Sequence, residues 1–103
     1  RQVLLQAMTL PQMMRLKTAA LLDRGEIRDA YDLEFLVKRG LQPSGEKTLL
    51  KAILRKIDAF KKTDYTSKLG SLIEPDKRPY YRDHNFRILK AAIEDRLSDM
   101  EGN

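Results

Sequence analysis

The sequence contains no cysteine and no tryptophan, and its single histidine is His84. Disulfides and thiolate metal sites are therefore excluded, and no histidine-based zinc cluster can be assembled within the chain. Such a composition is compatible with a reducing compartment, and a cytoplasmic location is the expectation. Long apolar runs are missing as well. None approaches the roughly 20 residues that a membrane helix needs, and the N-terminal segment does not have the build of a signal peptide. There is no internal repeat and no low-complexity segment.

What remains is enough for one modest domain: 103 residues, 42% hydrophobic and 34% charged. The formal net charge of +5 favours anionic partners such as nucleotides, nucleic acid or an acidic protein. The excess is moderate and spread out. The chain begins at Arg1, directly in an apolar segment, and the expectation is a piece of a longer protein.

Val3, Leu4, Leu5, Ala7 and Met8 form a short apolar stretch of strand-like length, closed by Thr9 and Pro11. A solitary strand leaves backbone groups unpaired along both edges. Two readings stay open: it pairs with a sheet outside this chain, or it leads into the next helix. The spacing then predicts a helix from Thr9 or Leu10 to Arg24, with Pro11 tolerated in its first turn and Gly25 as its stop. Met13, Leu16, Ala20 and Leu21 share its apolar face, and Lys17 and Arg24 fall in the middle of that face. A second helix runs from about Ile27 to Arg39. Ala30, Leu33, Leu36 and Val37 make one apolar flank, Tyr31 and Phe35 another, and Asp29 and Asp32 lie between them. Only Glu34 and Lys38 read as solvated, and Arg28, four before Asp32, is within reach of it.

Ser44 is a candidate N-cap for the clearest amphipathic helix, Glu46 to Lys62, whose Leu49, Leu50, Ile53, Leu54, Ile57 and Phe60 follow helical spacing. Its outer side is basic: Lys47, Lys51, Arg55, Lys61 and Lys62. Asp64 to Leu69 suggests a short further helix ended near Gly70. Glu74 to Pro79 reads as a loop, and a last helix is expected from about Asp83, carrying Phe86, Leu89, Ile93, Leu97 and Met100 on one face. The fold class is mainly α: an antiparallel bundle of about four main helices, with one N-terminal strand added if the first of the two readings of Val3 to Met8 holds. Residues 1–103 then form a single helical domain.

Lys17 to Leu36, KTAALLDRGEIRDAYDLEFL, is the stretch that carries chemistry. Lys17 suits a phosphate oxygen as a mobile point charge, and Arg24 suits a bidentate clamp. Asp29 or Asp32 would orient Lys17, contact a nucleotide or position an attacking hydroxyl. The same charges equally make an ion-pair lock between two helices, and the residues alone leave both readings open.

The pattern Lys17, Ala20, Arg24, then Arg28-Asp29-x-x-Asp32-Leu33-x-x-Leu36 resembles the downstream motifs of the AbiEii/AbiGii family. These are nucleotidyltransferase-like toxins of bacterial abortive-infection and toxin–antitoxin systems, related to the MenT toxins. The recognisable spacing covers about a fifth of the chain. The resemblance implies that Lys17, Asp29 and Asp32 are catalytic and that Lys17, Arg24 and Arg28 bind nucleotide. It implies transfer of a nucleotide from a nucleoside triphosphate, with Mg2+, to an RNA such as a tRNA, and a cognate antitoxin as partner. It also implies an upstream domain bearing a Gly-Ser motif and a metal-binding Asp-x-Asp motif. Neither motif occurs here: Gly70-Ser71 is followed by Leu72-Ile73-Glu74-Pro75. Residues 1–9 would then be the end of that domain, Val3 to Met8 its last strand, and the chain its C-terminal helical part, with no metal site and no cofactor of its own and no catalysis alone. The alternative is a non-catalytic helical module that binds an antitoxin or RNA. Two further stretches suit RNA, namely the basic side of Glu46 to Lys62 and the cation–aromatic mixture Lys77-Arg78-Pro79-Tyr80-Tyr81-Arg82.

Overall fold

The structure, a computed structural model, describes residues 8–71 and 73–101. The expected strand at Val3 to Met8 falls outside them except for Met8, as does the side chain of Arg82. Among the described residues there is no strand, and the architecture is a helical bundle. Its helices are α1 (Leu10–Arg24), α2 (Ile27–Lys38), α3 (Lys47–Asp58), α4 (Arg78–His84) and α5 (Arg87–Glu101). A π-helical turn, Asp64–Leu69, and a 3-10 turn, Pro75–Lys77, connect α3 to α4.

α1 starts where its sequence says it should. Thr9 caps it in a reciprocal box with Gln12: the Gln12 N–H donates to the Thr9 hydroxyl, and the Thr9 N–H donates to the Gln12 side chain. It ends at Gly25, whose φ of 65° closes the helix with an N–H to the Leu21 carbonyl. The buried stripe of α1 is Met14, Thr18 and Leu21, at i, i+4 and i+7. Leu16, expected on the buried face, is 50% exposed, and the face is turned by about a quarter of the wheel from the sequence reading. Thr18 tolerates burial because its hydroxyl donates to the Met14 carbonyl at 2.7 Å.

α2 lies at the centre, against α1, α5 and the π-helical turn. Ile27, Ala30, Leu33 and Leu36 join the core, and so does Glu34, which is fully buried rather than solvated. A wheel centred on Ile27, Ala30 and Val37 places residue 34 inside the apolar arc, a signal hidden by reading the helix as two separate flanks. α3 buries Leu50, Ile53 and Ile57, and its N-cap is Glu46, without a side-chain cap, rather than Ser44. Ion pairs Lys47–Glu101 (3.2 Å) and Lys90–Asp58 (3.3 Å) join opposite ends of α3 and α5, so these two helices run antiparallel.

The segment after α3 departs most from expectation. Glu74 to Pro79 is not an open loop: the 3-10 turn leads directly into α4. The last helix starts at Arg87 rather than Asp83, because Asn85 (φ 55°) and Phe86 (φ 60°) both take the left-handed conformation and reverse the chain. That conformation is uncommon for an aromatic residue. It drops Phe86 into a cluster with Phe60, Tyr65 and Tyr81, at ring-centroid distances of 5.9, 5.8 and 5.2 Å. At Gly70 the π-helical turn closes so tightly that a β-carbon would meet the Thr66 carbonyl. Only glycine fits there.

Candidate functional site

Lys17 projects from α1 towards the first turns of α2. Its Nζ lies 2.7 Å from Asp32 Oδ2 and 4.0 Å from Asp29 Oδ1. Arg24, two turns further along α1, donates through Nη2 to the same Asp29 Oδ1 at 2.8 Å. Four of the five sequence-assigned residues are thus brought into one connected constellation. The short turn at Gly25 makes this possible, since it folds α2 back beside α1 with Arg24 and Asp29 flanking the corner.

The members of the constellation differ sharply in burial. Asp29 is completely buried, and its Oδ2 has no hydrogen-bond partner. A carboxylate in that environment needs compensation, which comes from the two cations and from its place in the first turn of α2, at the positive end of the helix dipole. Lys17 and Asp32 are 28% and 34% exposed, so their pair faces solvent along one edge. Arg24 spends one N–H on Asp29 while 51% of its side chain stays exposed, leaving the rest of the guanidinium fork free.

Two expectations change. Lys17 and Arg24 sit on the margin of the buried stripe rather than at its middle, so they are cations at a helix–helix seam and not charges forced into the core. Arg28 does not reach Asp32. It is exposed and enters no ion pair among the described residues, lining instead a depression of about 320 Å³ with Glu26, Ile27 and Lys68.

A second buried carboxylate escaped the sequence reading. Glu34 Oε2 accepts the backbone N–H of Leu89 at 3.1 Å, and Lys38 Nζ lies 3.8 Å from Oε1. Tyr80 and Tyr81 crowd the same region, and both phenols are pushed above the ordinary tyrosine value of 10.0, first by burial and then by the Glu34 charge. A cavity of about 540 Å³ opens on the flank of α1 opposite Lys17, between Arg15, Ala19 and Leu22 on one side and Ser44, Gly45 and Leu49 on the other. It contains none of the assigned residues.

Of the basic outer side of α3, Lys51 and Arg55 are exposed and unpaired among the described residues, as are Lys61 and Lys62 beyond it, while Lys47 is held by Glu101. No helix among the described residues is long and apolar enough to cross a membrane. Nor do they include any group of three or more metal-ligating side chains. Asp29 and Asp32, the only carboxylates of the constellation, are both engaged by cations, so this donor set does not fit a divalent metal.

A comparison of the sequence with known families decides what this constellation belongs to. The family described as nucleotidyl transferase AbiEii toxin, type IV toxin–antitoxin system, matches residues 1–101. The chain belongs to the AbiEii nucleotidyl transferase toxin family. Membership therefore extends well beyond Lys17 to Leu36 and takes in the helices after Gly40, whose sequence had suggested the family only in general character. No curated protein and no solved structure matches this AbiEii-family chain.

Proposed function

We propose that the chain supplies the helical half of a nucleotidyl-transfer site, in a protein that moves a nucleotide from a nucleoside triphosphate to an RNA such as a tRNA. The observation that carries this reading is the division of labour around Asp29. A buried carboxylate anchors two cations whose outward ends stay accessible at one seam. Family membership adds the reaction class.

In this reading Lys17 and Arg24 receive phosphate oxygens, Lys17 as a point charge and Arg24 through the free part of its fork. Charge developing on transferring phosphates is stabilised most by donors already fixed in place. Asp29 is the residue that fixes them, so it acts as a positioning residue. Asp32 exchanges Lys17 with the incoming phosphate, and is then free to orient the acceptor hydroxyl. Arg28 adds an unpaired cation at the approach. Mg2+, which these residues do not suit, would be held by Gly-Ser and Asp-x-Asp motifs outside the 103 residues, and residues 1–103 would form one helical domain after them. A cognate antitoxin is the implied protein partner, in the cytoplasm.

A second reading has its own support. Every carboxylate of the constellation already has a cation within 4.0 Å, as expected of a lock between α1 and α2 in a non-catalytic module that binds antitoxin or RNA. The coding sequence upstream of Arg1 separates the two at once, since the enzyme reading requires Gly-Ser and Asp-x-Asp motifs there. With the full protein, labelled nucleoside triphosphate and bulk tRNA should give labelled RNA. Lys17→Ala and Asp32→Ala variants that fold normally should lose that labelling. Labelling at the wild-type level would remove both residues from the site.

A further inference from the structure

One helical turn beyond Asp32, Phe35 leaves 52% of its surface in solvent although it is a large apolar ring. It borders a cleft of about 370 Å³ between α2 and the segment containing the 3-10 turn and α4, lined also by Tyr31, Tyr81, Lys38, Lys77 and Asp76. Tyr31 and Tyr81 pack on each other with ring centroids 5.5 Å apart, and Lys38 Nζ lies 5.9 Å from the Tyr81 ring. Arg39 Cζ is 5.7 Å from the Phe35 ring. Arg39, Lys77 and Arg78 are exposed and make no ion pair among the described residues. Against these cations, Asp76 is the one acidic residue in the cleft lining.

We propose that this cleft stacks an unpaired base of a single-stranded nucleic acid, with Phe35 as the stacking platform and Lys38, Arg39 and Lys77 as contacts to the strand's phosphates. Packing alone accounts for the two tyrosines, which hold α4 to α2. It does not account for Phe35, whose ring is half in water beside an arginine. Aromatic faces next to unpaired cations provide sequence-tolerant stacking together with attraction to a phosphate backbone. The cleft volume suits one base rather than a duplex. Because Asp32 and Phe35 are three residues apart on one helix face, a strand seated here runs directly past the Lys17–Asp32 pair. The inference rests on the proposed transfer reaction for its purpose, as the seat of the acceptor strand, but not for its geometry.

The test is binding rather than transfer. A fluorescein-labelled single-stranded oligoadenylate is titrated with the 103-residue chain at low salt, without nucleoside triphosphate, and followed by anisotropy. Saturable binding is expected. Phe35→Ala should weaken it roughly ten-fold or more, and Phe35→Tyr should restore it. Lys77→Gln should flatten the salt dependence. Both sites are exposed, so thermal melting should stay at the wild-type value for each variant. Absence of binding, equal binding by Phe35→Ala, or equal competition by a duplex of the same length would each overturn the proposal. Loss of oligonucleotide binding by Phe35→Ala together with unchanged RNA labelling by Lys17→Ala would leave the cleft standing and the transfer site refuted. The reverse pair of results would refute the cleft alone.

Discussion

Glu34 on α2 accepts the backbone N–H of Leu89, in the first turn of α5, across 55 residues of sequence. A carboxylate at that position satisfies one of the orphan donors of the helix start and meets the positive end of its dipole. The chain enters α5 through the left-handed pair Asn85 and Phe86, and a side chain from another helix accepts from its first turn. The helix that carries Asp29 and Asp32 is thereby pinned to the far side of the bundle.

Removing that cap should cost stability without touching the Lys17 constellation. Glu34→Ala is expected to lose roughly 2–3 kcal/mol, as for a buried hydrogen bond to a charged acceptor. Glu34→Gln, which keeps an acceptor oxygen, should lose less. Urea unfolding of the three proteins gives the comparison, and equal midpoints would mean that the Leu89 contact contributes nothing.

The orientation of α1 is testable by two truncations two residues apart. Met14→Ala opens a cavity in the core and should cost about 2–5 kcal/mol. Leu16→Ala lies on the solvent side and should fall within about 0.5 kcal/mol of wild type. Similar losses at the two positions would contradict the observed rotation of this helix.

Asp29 and Asp32 should separate in the same way. Asp29→Asn weakens the partner of two cations at a fully buried position and is expected to cost about 1–3 kcal/mol. Asp32→Asn breaks a partly exposed pair with Lys17, worth at most about 1 kcal/mol. Thermal melting of the two variants ranks them, and a less stable Asp32→Asn protein would reverse the roles of anchor and exposed partner.

Alkaline pH should loosen the region where α4 meets α2. Tyr80 and Tyr81 have folded-state values raised above the ordinary 10.0 by burial, then by Glu34, so the folded protein favours their neutral forms. Their contribution is complete below the unfolded value and is lost as pH climbs from there through the raised folded values. Melting temperature is thus expected to drop above that point, and a Tyr80→Phe/Tyr81→Phe double variant should show a shallower decline. An identical decline in the double variant would assign the alkaline loss to other groups.

The helix boundaries of α1 and α2 were legible because their punctuation is local. Thr9, Pro11 and Gly25 act on backbone groups within one turn, and the observed ends of α1 fall on them. The candidate constellation was legible for the same reason, since Lys17, Arg24, Asp29 and Asp32 lie within 16 residues around one turn. What misled was the doubling of apolar positions. Met13-Met14 and Leu21-Leu22 allow several stripes on α1, and periodicity alone cannot choose between them. Glu34 was misread because charge was taken as a mark of solvent, whereas its burial depends on a helix start 55 residues away.

By itself, the sequence determined the helical class, the caps and turn of the first hairpin, and the spacing that places this chain in the AbiEii family. These follow from short-range backbone chemistry and from residue types at fixed intervals. Only the tertiary structure decided which side of α1 is buried, that Asp29 anchors while Lys17 and Asp32 face solvent, and that Arg28 stands apart. It also decided the break at Asn85 and Phe86, where burying one ring in an aromatic cluster outweighs the local preference to continue a helix. The physical reason is range: capping and periodicity act within a turn or two, whereas burial is settled by what the rest of the chain brings to the other side.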